Sequence, residues 1–88
     1  MLAGDRYRDQ VGLDFDSGEA LYLQLAALLR EQITSGRLSG RMPSSKSLAQ
    51  EHGVSHATSD RALVMLRDEG LIYTARGKGY YVARKSQG

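Results

Sequence analysis

Two short stretches hold most of the side chains that could do chemistry. One is Ser55-His56-Ala57-Thr58-Ser59-Asp60-Arg61, preceded by Ser44-Ser45-Lys46; the other is Arg76-Gly77-Lys78-Gly79. Neither is equipped for catalysis. There is no pair of carboxylates, no nucleophile beside a base and no phosphate loop, and the basic glycine stretch is too short and wrongly placed for a nucleotide loop. The chain has no Cys, so neither a disulfide framework nor a thiolate metal site is available. His52 and His56 are the only imidazoles and form no metal-like cluster. The expectation is therefore no enzyme, no cofactor and no metal. Hydroxyls and free N–H groups at helix starts do bind phosphate, and a basic, glycine-rich tip can approach a polyanion closely.

The elements that must carry these groups can be read from their caps. Ser44 follows Pro43 and can accept from the first free N–H groups of a short helix. Gly53 ends that helix, since only Gly takes a left-handed C′ conformation cheaply. Val54 is an apolar plug in the turn, Ser55 caps a second helix, and Gly70 closes it. Two helices joined by a Gly-containing turn make a helix-turn-helix, whose second helix usually enters the DNA major groove. In that helix Ala62, Leu63 and Leu66 form the packing side. His56, Ala57, Asp60 and Arg61 lie on the other side, where base edges would be met.

Upstream, Leu21, Leu25, Leu28, Leu29 and Ile33 recur at helical spacing, with Asp16 or Ser17 as candidate cap and Gly36 as the stop. The polar face is not Lys-rich, which favours a core helix over one lying on a membrane. Leu38 and Met42 can tuck inward from the following loop. Val11, Leu13 and Phe15 alternate as in a strand. Downstream, Leu71-Ile72-Tyr73-Thr74 and Tyr80-Tyr81-Val82-Ala83 read as strands around a hairpin tip at 75–79. The fold class is mainly α with a small β hairpin: a three-helix winged helix-turn-helix. Its expected organisation is a partly mobile arm at 1–16, the domain at 17–85 and a tail at 86–88.

With 88 residues, 41% apolar and 25% charged, the chain suits one small globular domain of marginal stability. No apolar run approaches membrane-spanning length and no signal-peptide core is present, so a cytoplasmic location is expected. Net charge is only +2 but uneven. Residues 71–88 carry Arg76, Lys78, Arg84 and Lys85 with no acid, whereas residues 1–20 are net acidic. Charge alone does not choose between a docked polyanion and a solubilising tail.

Each candidate has an ordinary structural reading. Ser44 and Ser55 are needed as caps, and this competes with any phosphate contact by them, by Lys46 or by Thr58. The glycines of Arg76-Gly77-Lys78-Gly79 also suit a plain hairpin turn, although the basic flanks favour nucleic acid. His56 and Asp60, one turn apart, either reach bases, with Asp60 accepting from a cytosine amino group, or pair with each other on a solvated face. His52 reads as a helix-end residue at the negative end of the helix dipole. Tyr73, Tyr80 and Tyr81 read as strand residues, partly core, ahead of base stacking.

The ordered set of residues resembles the DNA-binding domain of GntR-family bacterial transcription regulators, from about Ala20 to Ala83. Its carriers are Leu21-Tyr22-Leu23-Gln24-Leu25, Pro43-Ser44, Leu48-Ala49, Gly53-Val54-Ser55, Thr58, Ala62-Leu63, Glu69-Gly70-Leu71-Ile72, Arg76-Gly77-Lys78-Gly79 and Tyr81-Val82-Ala83. The departures are specific. Where the family usually has Pro-Ser-Glu-Arg, this chain has Pro43-Ser44-Ser45-Lys46, and Ser47 stands for the capping-box Glu. Where the family usually has Ser-Arg-x-Thr-Val-Arg, it has Ser55-His56-Ala57-Thr58-Ser59-Asp60. The arginines that commonly reach the groove are missing, and Ser59 replaces an apolar core residue.

The resemblance implies sequence-specific binding of double-stranded DNA and a transcriptional regulator, expected to be a repressor. It would act as a homodimer on an inverted-repeat operator. Helix 56–69 would lie in the major groove and wing 75–79 at the minor groove or backbone. The expected contacts are Ser44, Lys46, Ser55, His56, Ala57, Thr58, Asp60, Arg61, Arg76, Gly77, Lys78 and Gly79. No effector domain is expected within these residues, which suit either a small stand-alone regulator or the head of a longer protein. A winged-helix protein-interaction module that has lost specific DNA contact is the competing reading, supported by the missing arginines and Asp60.

Overall fold

The element order is α1 (Leu21–Thr34), α2 (Ser45–His52), α3 (His56–Asp68), β1 (Ile72–Thr74) and β2 (Tyr80–Val82). The structure, a computed structural model, describes residues 13–17 and 19–83. Val11, the first twelve residues of the expected arm, and Arg84 and Lys85 lie outside the described residues.

Local chemistry explains the two motif helices. Ser44 Oγ accepts from Ser47 N–H at 3.0 Å, and Ser55 Oγ accepts from Thr58 N–H at 3.0 Å, so both helices have side-chain caps. Gly53 stands at φ 69° behind α2. Gly70, at φ 81°, closes α3 with Gly70 N–H donating to Arg67 O and Leu71 N–H to Leu66 O, the paired bonds of a Schellman end. The hydrogen bond from Ser45 Oγ to His56 O at 3.3 Å ties the start of α2 to the start of α3.

The start of α1 differs from expectation. Neither Asp16 nor Ser17 caps it; Ala20 holds the N-cap position, with no side-chain bond. Ser17 Oγ instead accepts from Glu19 N–H at 3.0 Å and lies 3.1 Å from Gln24 Nε2. Nor is there a strand around Leu13 and Phe15. Residues 14–17 form a turn, closed by Ser17 N–H donating to Asp14 O. Gln24 holds that turn against α1: its Oε1 accepts from Asp14 N–H at 2.7 Å, and its Nε2 donates toward Asp14 O and Glu19 O, each at 3.0 Å. Leu13 packs on the core, but Phe15 is exposed, because the turn breaks the alternation that would have put both on one face.

The core is Leu25, Ala26, Leu29, Met42, Leu48, Ala62, Leu63, Leu66 and Ile72. It lies where α3 packs across α1 and α2, with β1 closing one side. Leu21 and Leu28 are only half-buried, so the buried stripe of α1 is narrower than its leucines suggest. Met42 and Leu38 turn inward, as expected of the α1–α2 loop. Ser59 is fully buried among these side chains, and its Oγ has no partner among the described residues.

β1 and β2 pair antiparallel, with Ile72 opposite Val82, Tyr73 opposite Tyr81 and Thr74 opposite Tyr80. The α1–α2 loop adds a single β-bridge to this two-stranded sheet, which sequence periodicity does not show. Met42 N–H donates to Tyr80 O at 2.8 Å and Val82 N–H to Gly40 O at 2.7 Å, which places Arg41 opposite Tyr81. Ile72, Tyr80, Val82 and Met42 therefore face the core. Tyr73, Tyr81 and Arg41 share the outer face. Tyr73 and Tyr81 stack there with ring centres 6.1 Å apart. No helix among the described residues is long and apolar enough to cross a membrane.

Candidate nucleic-acid interface

The starts of α2 and α3, the outer side of α3 and the hairpin tip carry the groups expected to meet a ligand. At the helix starts, Ser44 and Ser55 act as caps, and Ser55 Oγ also lies 2.9 Å from Thr58 Oγ1. Thr58 is half-buried beside its cap, and Lys46 projects freely from the first turn of α2. The capping role of both serines is thus present, whatever else they touch.

On α3, His56, Ala57, Asp60 and Arg61 are all exposed, as the helical spacing requires. The first and third are paired: His56 Nδ1 lies 3.4 Å from Asp60 Oδ2. Arg61 is also held. Its guanidinium carbon sits 4.1 Å from the centre of the Tyr22 ring, bridging the outer side of α3 to the first turn of α1. Sequence spacing gave no signal for this contact, which joins residues on separate helices.

The hairpin tip is a tight reversal. Lys78 N–H donates to Ala75 O at 2.8 Å, with Arg76 at φ 46° and Gly77 at φ 77°. Positive φ at both central positions matches the right-handed twist of the flanking strands. Arg76 is unusual in taking that conformation as a non-glycine residue, at a strain of order 1 kcal/mol. The turn places its charge at the apex of the hairpin. Gly79, at φ 94°, follows.

The cations divide into two groups. Arg30 meets Glu69, Arg37 meets Glu31, and Arg67 meets Asp68. Among the described residues, Lys46, Arg61, Arg76, Lys78 and Arg41 meet no carboxylate. Four of these are sequence candidates; Arg41 is one that sequence reasoning missed. The only signal for it was the inward-turning Met42 next in line, which implies an outward-facing neighbour if the segment is extended. His52 ends α2, largely covered, with Nε2 3.9 Å from Glu51 Oε2. No group of three or more His, Asp or Glu among the described residues could hold a metal ion.

Three helices with a capped helix-turn-helix and a basic antiparallel hairpin define a winged helix-turn-helix. Residues 21–82 match the family described as bacterial regulatory proteins, gntR family, and the chain belongs to that family. It is 36% identical over 66 residues to the HTH-type transcriptional repressor NagR of Bacillus subtilis, a match covering 73% of this chain and 27% of NagR. Among solved structures, the GntR-family transcription factor YtrA from Sulfolobus acidocaldarius superposes with a TM-score of 0.78 at 31% identity, covering 85% of this chain and 81% of YtrA. The DNA-binding domain of AraR in complex with operator ORX1 superposes with a TM-score of 0.67 at 28% identity, over 84% of this chain and all of that one. The chain thus spans about a quarter of the length of a curated relative such as NagR, at 27%.

Proposed function

We propose that this chain binds double-stranded DNA sequence-specifically and regulates transcription, as a repressor acting through a homodimer on an inverted-repeat operator. In this reading α3 enters the major groove, where His56, Ala57, Asp60 and Arg61 face base edges. Ser44, Lys46, Ser55 and Thr58 lie against phosphates at the helix starts. The tip Arg76-Gly77-Lys78-Gly79 approaches the minor groove or backbone. The observation that carries the reading is the distribution of charge. Among the described residues Arg30, Arg37 and Arg67 are matched by carboxylates, while Lys46, Arg61, Arg76 and Lys78 are not. A fold whose relative AraR is seen with operator DNA, and a relative named as a repressor, support DNA as the polyanion and repression as the outcome.

The competing reading, a protein-interaction module, is favoured by one feature: the His56–Asp60 pair occupies the side of α3 where arginines would otherwise stand. Titration of random and promoter duplexes over a range of salt separates the two. A DNA-binding protein shows log K falling linearly with log salt concentration and tighter binding to its own promoter. Absence of duplex binding at low salt would leave the interaction module as the better account.

A further inference from the structure

We infer that Arg41, on the loop between α1 and α2, is a phosphate-contacting residue that joins Arg76 and Lys78 in one basic cluster on the wing. The inference rests on the DNA-binding reading above and extends it to a residue outside both the helix-turn-helix and the hairpin.

The chain's own pairing puts Arg41 there. Gly40 and Met42 bond to Val82 and Tyr80, which lays this segment along the hairpin as a single β-bridge and sets Arg41 opposite Tyr81. Alternation then sends Met42 into the core and Arg41 to the outer face. Along that face run Arg41, Tyr81 and Tyr73, the two rings stacked. The Arg41 side chain lies toward the hairpin tip. Its Nη2 is 4.0 Å from the point where a Cβ on Gly79 would stand. The guanidinium thus comes within van der Waals reach of Gly79, the residue after Lys78.

Arg41 differs from the other arginines near the α1–α2 loop. Arg37 is matched by Glu31 and Arg30 by Glu69, whereas Arg41 meets no carboxylate among the described residues. A guanidinium on the outer face of the sheet with no carboxylate partner among the described residues presents a fork suited to phosphate oxygens. Arg76 and Lys78, at the tip that Gly79 follows, also meet no carboxylate among the described residues. The cluster thus gathers positive charge from two segments of chain that sequence distance keeps apart.

The test compares wild type, Arg41→Gln and Arg41→Lys on a random-sequence duplex and on a promoter duplex over a salt series. Arg41→Gln keeps a shorter polar stem and removes the charge; melting curves confirm that each variant is folded. The expected result is a slope of log K against log salt shallower by about 0.9 for Arg41→Gln and restored by Arg41→Lys, with both duplexes weakened by the same factor. An unchanged slope in a folded Arg41→Gln protein, with wild type binding normally, overturns the assignment of Arg41 alone. Loss confined to the promoter duplex overturns it in favour of base reading. If wild type binds neither duplex, the DNA reading fails and this inference with it.

Discussion

Arg30 and Glu69 meet side-on across the seam between α1 and the end of α3, with Nε 2.8 Å from Oε1 and Nη2 2.6 Å from Oε2. The hydrogen bonds from Arg30 hold the Glu69 carboxyl below its ordinary range; partial desolvation opposes this, and the Arg30 charge adds to it. A carboxylate whose pKa is lower in the folded state contributes stability in full above its unfolded pKa, and that contribution is lost as pH falls through the folded pKa. The pair is partly solvated, so the contribution is expected to be about 0.5–1 kcal/mol at most. Urea midpoints of wild type and Glu69→Gln should therefore differ at pH 7 and converge as pH falls from about 5 toward 3. A constant gap across that range would mean that the ion pair does not contribute.

Ser59 offers a stabilising substitution. Its hydroxyl is fully buried with no partner among the described residues, and such a group costs about 1–3 kcal/mol. Ser59→Ala removes the hydroxyl, leaves little void and raises helix propensity. The melting temperature should rise by about 4–8 °C for each 1 kcal/mol gained. A lower melting temperature would show that the hydroxyl has a hydrogen-bond partner after all.

At the tip of the wing, stability and binding should move in opposite directions. Arg76 holds φ 46° in a position that glycine occupies freely. Arg76→Gly should raise stability by roughly 0.5–1 kcal/mol while flattening the salt dependence of duplex binding by about one unit. Thermal melts and a salt titration on the same preparation read both effects. Unchanged salt dependence would remove Arg76 from the interface.

How much of this was legible beforehand follows from how local each signal is. The helix-turn-helix was legible because caps act over a few residues: Ser44, Gly53, Ser55 and Gly70 each shape the backbone beside them. Ala62, Leu63 and Leu66 were legible as core for the same reason, a helical period. The start of α1 was not, since Gln24 folds the preceding turn back onto the helix and occupies the hydroxyl of Ser17 that would have served as a cap. Arg41 was hidden because a single bridge residue leaves no period to read. Tyr22 under Arg61 was hidden because the contact joins two helices.

Asp60 gives the sharpest test of base reading. A carboxylate in the groove accepts from cytosine but cannot donate to guanine, and here it also pairs with His56. Asp60→Arg frees His56 and places a guanine-reading fork on the same turn. Selection from a random DNA pool should show guanine favoured at one position per half-site, together with tighter binding to nonspecific duplex. Identical selected sequences and identical salt dependence would assign recognition to His56, Ala57, Arg61 and the wing instead.

The bonds from Met42 to Tyr80 and from Val82 to Gly40 also bear on how the domain folds. They close a loop containing the whole helix-turn-helix, so the segment that precedes the motif is bonded to the hairpin that follows it. The wing is then not an appendage that frays independently of the helices. Its strands should exchange their amide hydrogens only when the domain opens as a whole, as one cooperative unit. A loop closure spanning most of the domain also makes folding slower than in a helical bundle with only local contacts.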